Sequence, residues 1–331
     1  MVNLFNNIPV YTTLKETEDT IFINNNEVIP EWLALRYIDI SLKSYSGKRE
    51  LNRISTTEFS KSDKQILLEQ QRIQNGYKIT VDVEDIVSSV LGTIVHEGIL
   101  QTEPERQEKS IGKWVISGQA DRIDNNTIYD LKHTSIYSGK NLLRELDLYP
   151  KYHEMSLEDL QVKCPSIFKY LSQLAIYNWL YNLDNDIGYI TFIFNNWTFK
   201  DKQDIKNKNM QIEFKLPSID KIEQYLINRL NRLKSYQDTG YLPDCDDNTL
   251  GISTTRTYKI VKYGKTRAVN GSGGSFNTLN EASIAQLKFP NTEIKETVIT
   301  TEPTLCLNWC KFNKEGICEQ GQKIKEAYET I

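Results

Sequence analysis

The chain has 331 residues, 39% hydrophobic and 25% charged, the balance of an ordinary globular protein large enough for one domain with an appendage or for two modest domains. Its formal charge of -4 argues against a broadly basic nucleic-acid binder and confines any such role to a local patch. No apolar run reaches membrane-spanning length, the opening MVNLFNN lacks the regions of a signal peptide, and five cysteines favour a metal site or buried thiols over a disulfide framework, so a cytoplasmic protein is expected.

In chain order, residues 1–80 read as a helical, polar region, with one helix opening at Pro30 and another over 62–74. Over 83–100, Val83, Ile86, Val87, Val90, Leu91, Ile94 and Val95 recur at helical spacing, which predicts an amphipathic helix. His96 lies off that stripe. Gly92, one turn earlier, would let the helix approach a sheet closely, and Glu97 would add an acid. Residues 140–165 read as irregular, 170–183 as a helix, 188–195 as a buried strand and 219–236 as an amphipathic helix. Residues 200–215 hold Lys200, Lys202, Lys206, Lys208 and Lys215, either a basic patch or a solvated loop. Beyond Pro243 a hairpin over 257–269, a flexible Gly-Ser run from Gly271, a short helix over 280–286 and a strand over 293–299 follow.

Between the first two long helices lies the most telling segment, residues 118–132, GQADRIDNNTIYDLK. Asn125 and Asn126 tolerate the positive φ of a two-residue hairpin turn, and β-formers flank them. That turn pairs 124 with 127 and 123 with 128, making Asp121 and Asp130 cross-strand neighbours with Cβ atoms about 5 Å apart, where like charges repel unless a cation sits between them. Lys132 shares a face with Asp130. Two acids and a lysine so placed predict metal-assisted phosphodiester hydrolysis. The triplet alone is weak, since Asp204-Ile-Lys206, Glu213-Phe-Lys215 and Glu293-Ile-Lys295 repeat it without an acid upstream.

His96 is a candidate third ligand, because neutral imidazole binds divalent metals. Gln173 and Tyr177, four residues apart on one helix, share a face and could hold the lysine or a nucleic-acid backbone. Cys306, Cys310 and Cys318, with Cys245, offer four thiolates for a tetrahedral zinc or an iron-sulfur cluster, if the span between Cys245 and Cys306 folds back on itself. Cys164 is an alternative fourth ligand or a buried thiol.

The order of these motifs resembles the PD-(D/E)XK nuclease superfamily, and most closely its RecB-like exonucleases, including the CRISPR-associated ones and versions common in bacteriophages. The match runs through ISTTEF from Ile54, VEDIVSSVLGTIVH ending at His96, VISGQAD ending at Asp121, Asp130 and Lys132, Gln173 and Tyr177, LPDC ending at Cys245, YKIVKYGKTRA from Tyr258 and NWC ending at Cys310. The resemblance implies an α/β core, a mixed sheet flanked by helices, over 81–240, with the helical region 1–80 before it and a cysteine-bearing α+β subdomain over 241–331 after it. It implies that His96, Asp121, Asp130 and the Leu131 carbonyl bind Mg²⁺ or Mn²⁺. Lys132 would orient or activate the attacking water, with Gln173 and Tyr177 in support. The four cysteines would carry a [4Fe-4S] cluster, with zinc as the alternative. Two departures bear on the cluster: every cysteine here follows the catalytic hairpin, whereas one precedes it in those relatives, and the Cys310–Cys318 spacing is longer.

The expected protein is thus a metal-dependent DNA exonuclease acting in phage DNA replication, recombination or processing, in the host cytoplasm if viral. No Gly-rich P-loop is present, so any ATP-driven unwinding would come from a partner helicase. One alternative is an inactive nuclease-fold protein serving as a DNA-binding or structural component of a viral assembly. The other is a phosphodiesterase acting on RNA or small nucleotides.

Overall fold

The computed structural model describes residues 11–25, 29–44, 50–100, 103–252, 254–272 and 274–329. The opening residues on which the missing leader was read, and Gly273 of the Gly-Ser run, lie outside these. The chain divides into two compact units, residues 1–244 and 245–331.

The first unit opens with β1 (Tyr11–Glu16) and β2 (Thr20–Asn25), an antiparallel pair that β4 (Ile79–Asp82) joins parallel to β2. Between them lie α1 (Glu31–Ser44), β3 (Arg53–Ser55), a 3-10 turn and α2 (Asp63–Asn75). Ser62 caps α2 by accepting from the Gln65 N–H, and the Gln65 side chain returns to the Ser62 N–H, as Ser-x-x-Gln predicts. Among its described residues, the region read as helical therefore holds two helices and four strands. These strands are short, and β3 and β4 find their partners across intervening helices, so no local periodicity announces them.

Asp82 caps α3 (Val83–Ile99) by accepting from the Glu84 N–H. The helix is where its spacing predicts, but only Val83 and Val90 of the stripe are buried, while Leu91 and Ile94 are exposed. β5 (Gln107–Ile111) and β6 (Trp114–Gly118) form a hairpin that β3 extends. A four-stranded mixed sheet contains β7 (Arg122–Asp124), β8 (Thr127–Thr134), β9 (Ile187–Phe194) and β10 (Asn209–Lys215) in the order β10-β9-β8-β7. Only β8 and β9 are parallel.

A parallel pair needs a long crossover. Here it consists of α4 (Ile136–Leu148), α5 (Leu157–Lys163) and α6 (Pro165–Tyr181). The stretch read as irregular is thus largely helical. Charged residues interrupt the buried positions Ile136, Leu142 and Glu145 of α4, and α5, capped by Ser156, is too short to display a period.

Helix α6 is the spine of the core, buried on nearly every side. Such a helix must have its end groups satisfied from elsewhere. At its start the Glu145 carboxylate accepts from the Ser166 N–H and Ile167 N–H, both at 2.9 Å, and from the Ser166 hydroxyl at 2.8 Å. At its end the Lys109 ammonium donates to the Trp179 carbonyl and to the Asn182 side chain. Both charges have the sign the helix dipole favours. Helix α7 (Ile219–Thr239) packs on α6 and α2.

The second unit contains α8 (Asp247–Leu250), β11 (Thr254–Lys262), α9 (Leu279–Gln286), β12 (Thr292–Thr300), α10 (Thr304–Trp309), α11 (Lys311–Lys314) and α12 (Glu319–Glu329). β11 pairs antiparallel with β12 along its whole length, and α9 lies against both. The hairpin read over 257–269 shrinks to one bridge, Val261 with Ala268, because β12 supplies the longer partner. Among the described residues, no helix is long and apolar enough to cross a membrane.

Candidate active site

The turn at Asn125 and Asn126, with φ of 47° and 66°, sets the predicted register: Asp124 with Thr127, Ile123 with Ile128, Arg122 with Tyr129. One more rung would oppose Asp121 and Asp130, but β7 starts at Arg122. Asp121 leaves the ladder, and its Oδ2 accepts from the Leu131 N–H at 2.5 Å. Both acids are buried, Asp130 almost completely at 1% exposure. Each has its own nitrogen partner. His96 Nε2 lies 2.7 Å from Asp121 Oδ2, and Lys132 Nζ lies 2.7 Å from Asp130 Oδ2.

Gln173 Nε2 donates to Asp130 Oδ1 at 3.0 Å and stands 3.0 Å from the Tyr177 hydroxyl. Asp130 Oδ2 is close to the ammonium but outside hydrogen-bond geometry, so this buried oxygen has no hydrogen bond. Burial pushes the Asp130 carboxyl up to about 6; Lys132 opposes that shift and the Asp121 charge adds to it. The hydrogen bond to Asp121 holds His96 above its ordinary value against partial burial, with the Asp121, Glu103 and Asp130 charges contributing. For Lys132 burial works downward, but Asp130 outweighs it and the ammonium stays protonated. Burial raises the Tyr177 phenol, which remains neutral.

A strand residue projects its N–H and C=O to the same side. The Leu131 carbonyl therefore opens to the edge where its N–H meets Asp121. Two carboxylates, an imidazole and a carbonyl are the donors a hard divalent cation takes, and among the described residues the only partner of Asp130 Oδ2 is the Lys132 ammonium. In this arrangement the donors pair with one another. Among the described residues, no three His, Cys, Asp or Glu side chains already surround a common point.

Gly118 explains how α6 comes so near. A Cβ there would lie 2.5 Å from Thr56 Cγ2 and 2.8 Å from Tyr177 Cε1. The Tyr181 hydroxyl accepts from the Ala120 N–H at 3.2 Å and donates to the Glu105 carbonyl at 2.7 Å, holding the segment that delivers Asp121. Gly92 has no such role, since a Cβ there would meet open space. The acid beside His96 is Glu103 rather than the exposed Glu97.

No protein-family model matches the chain, and no curated protein does. Among solved structures it is similar to SSO0001, at 18% identity and a TM-score of 0.36, over 62% of this chain and 86% of that one. It is also similar to a phage related exonuclease from Haemophilus somnus 129PT, at 12% identity and a TM-score of 0.27, over 65% of this chain and 86% of that one. Likenesses this slight carry no weight, and the reading rests on the site's own geometry.

Two residues at the site escaped the sequence reading. Glu103 Oε1 stands 3.3 Å from His96 Nδ1, and its other oxygen accepts from Gln119 Nε2 at 2.9 Å, but Glu103 lies in a loop with no pattern to expose it. Lys169 extends the Gln173 and Tyr177 stripe by one turn, within electrostatic reach of Lys132, and the four-residue spacing could have revealed it. Lys200, Lys202, Lys206, Lys208 and Lys215 are exposed around the turn preceding β10 and on β10 itself.

The cysteines divide between the units. Cys164 is fully buried in the core of the first, its thiol pushed up to about 11 by burial and by the Glu145 charge, so it packs as an apolar residue. In the second unit, Cys306 and Cys318 are buried while Cys245 and Cys310 are half-buried. Gln320 hydrogen-bonds the backbone of Cys245 in both directions, bringing it to the start of α12 just after Cys318. The Cys318 sulfur accepts from the Gly321 N–H at 3.4 Å, and Cys306 Sγ lies 3.8 Å from Asn313 Nδ2.

Proposed function

We propose that this protein is a divalent-metal-dependent nuclease that hydrolyses the phosphodiester bonds of DNA as an exonuclease. One observation carries the reading: two buried carboxylates side by side, Asp130 ion-paired to Lys132 at 2.7 Å and Asp121 to His96 at 2.7 Å, with the Asp121 carboxylate also bonded to the Leu131 N–H. Burying charged groups together in this way is costly, and clusters of this kind concentrate at functional sites. Asp121, Asp130, His96 and the Leu131 carbonyl would hold Mg²⁺ or Mn²⁺, which when bound lowers the pKa of water and neutralises phosphate oxygens.

The remaining chemistry belongs to the side chains. Lys132, protonated and 26% exposed, presents a positive charge where a phosphate oxygen gains negative charge. Gln173 fixes the Asp130 carboxylate, and Tyr177, kept neutral by burial, fixes Gln173. Glu103 engages His96 Nδ1 and leaves Nε2 facing Asp121. Gln173 and Tyr177 are thus positioning residues.

The test is a divalent-dependent degradation assay with end-labelled single-stranded DNA, duplex DNA and RNA in parallel. Wild-type protein should degrade DNA, and Lys132→Ala or Asp130→Ala should lower the rate about 10²-fold or more. Undiminished cleavage by Asp130→Ala would overturn the assignment, and cleavage of RNA alone would change the substrate. For Cys245, Cys306, Cys310 and Cys318 we propose an iron-sulfur cluster or zinc, supported by the N–H···S contact at Cys318 and the seating of Cys245 beside α12. Broad visible absorbance would select the cluster; a colourless protein holding zinc would select the other.

A further inference from the structure

The antiparallel register of β11 and β12 sets Lys259 directly opposite Lys295. Like charges so placed destabilise a strand pair. Elsewhere the same ribbon avoids this, because Glu296 lies 3.0 Å from Arg256 and accepts from the Tyr258 hydroxyl at 3.2 Å. Glu293, the nearest acid along β12, accepts from the Gly264 N–H at 3.1 Å instead. Among the described residues, neither Lys259 nor Lys295 has a carboxylate within ion-pair distance, and the same is true of Lys262, Lys265 and Arg267.

The turn at the end of β11 concentrates this charge. The Lys265 N–H donates to the Lys262 carbonyl at 2.9 Å, with Gly264 at φ 70° supplying the positive φ the turn demands. Tyr263 stands at the corner, 68% exposed, between the two lysines. The Val261 and Ala268 bridge then returns the chain beside β11, so that Arg267, which precedes Ala268, adds its charge to the same turn. Ile260 and Val261 are fully buried beneath, so the ribbon is anchored. In a chain of net charge -4, such unpaired positive charge on one anchored ribbon is a local device.

We propose that this ribbon binds the phosphate backbone of DNA, with Lys259 and Lys295 bridged by phosphate and Tyr263 offering its ring to an exposed base. Phosphate relieves the repulsion that the register builds in. Base stacking on an aromatic side chain flanked by cations is the sequence-tolerant mode of single-strand binding. The choice of DNA rests on the nuclease reading of the first unit.

The experiment uses full-length protein in the Asp130→Asn background with EDTA, and follows the anisotropy of a labelled strand of about 20 nucleotides, alone and as duplex, from about 50 to 200 mM salt. Replacing Lys259 and Lys295 together by Ala should weaken binding about 10- to 100-fold and lower the salt slope by about 1.4 to 1.8. The same double variant should melt at or above the wild-type temperature, since it removes a repulsion. A merely structural pair would show the reverse, lower stability with unchanged affinity, and that result overturns the proposal. So does wild-type protein that binds no DNA at low salt, or that binds polyglutamate as tightly. Cleavage measured in the matching Asp130-containing proteins separates the two readings. DNA bound but not cut sinks the nuclease and spares the ribbon; cutting with affinity unchanged in the double variant does the opposite.

Discussion

Replacing Asp130 by Asn should raise the stability of the metal-free protein relative to wild type as pH climbs, while abolishing cleavage. Asn keeps the shape and the oxygen that accepts from Gln173. It removes a carboxylate whose pKa burial raises from 3.8 to about 6. A group raised in the folded state contributes stability below its unfolded pKa and loses it as pH climbs through the folded one. At 1.36 kcal/mol per tenfold, the full loss is about 3 kcal/mol. Between about pH 4.5, where the unfolded carboxyl has already ionised in part, and about pH 8, some 2 kcal/mol of it is expressed. The variant should therefore gain about 2 kcal/mol over wild type across that interval. In urea with EDTA this is a midpoint shift of about 0.7 M for a slope of about 3 kcal/mol/M. Tryptophan fluorescence chiefly follows the first unit, which holds four of the five tryptophans, Trp32, Trp114, Trp179 and Trp197. A difference that does not change with pH, or one that moves against the variant as pH rises, refutes the reasoning.

Gly118→Ala should cost about 1–3 kcal/mol and depress activity, because its methyl meets Thr56 and Tyr177. Adding Thr56→Ser, which removes the nearer methyl but retains the hydroxyl facing Tyr177, should restore part of the melting temperature; no recovery would place the strain elsewhere. Glu103→Ala should lower Mn²⁺ affinity about 10- to 100-fold in titrations followed by electron paramagnetic resonance. It should also lower the His96 pKa read by NMR, since Glu103 contributes to holding it up; unchanged values on both would remove Glu103 from the site.

Much of the first unit was legible because its signals are local. A two-residue Asn turn fixes the register of β7 and β8 wherever it sits, and Ser62 with Gln65 announces the start of α2. What escaped depends on long-range partners. β3 and β4 pair with partners beyond intervening helices, and β11 forgoes its neighbour for β12. Helix α3 shows the limit of periodicity: the stripe predicts the helix but not how much of it is covered. At the site, residues within the motifs were readable, whereas Glu103 reaches His96 from a loop whose position only folding determines.

The turn at Asn125 and Asn126 has a consequence for how the gene can change. Side chains alternate along a strand, so shifting β8 by one residue turns Asp130 and Lys132 to the opposite face and brings Leu131 and His133 in their place. Substituting either Asn alters the strain of a turn; deleting one, or inserting a neighbour, alters parity. Point mutations at these positions should therefore be survivable, while single-codon insertions and deletions erase the chemistry of a site several rungs away. The spacing is a counted quantity, inherited whole or lost.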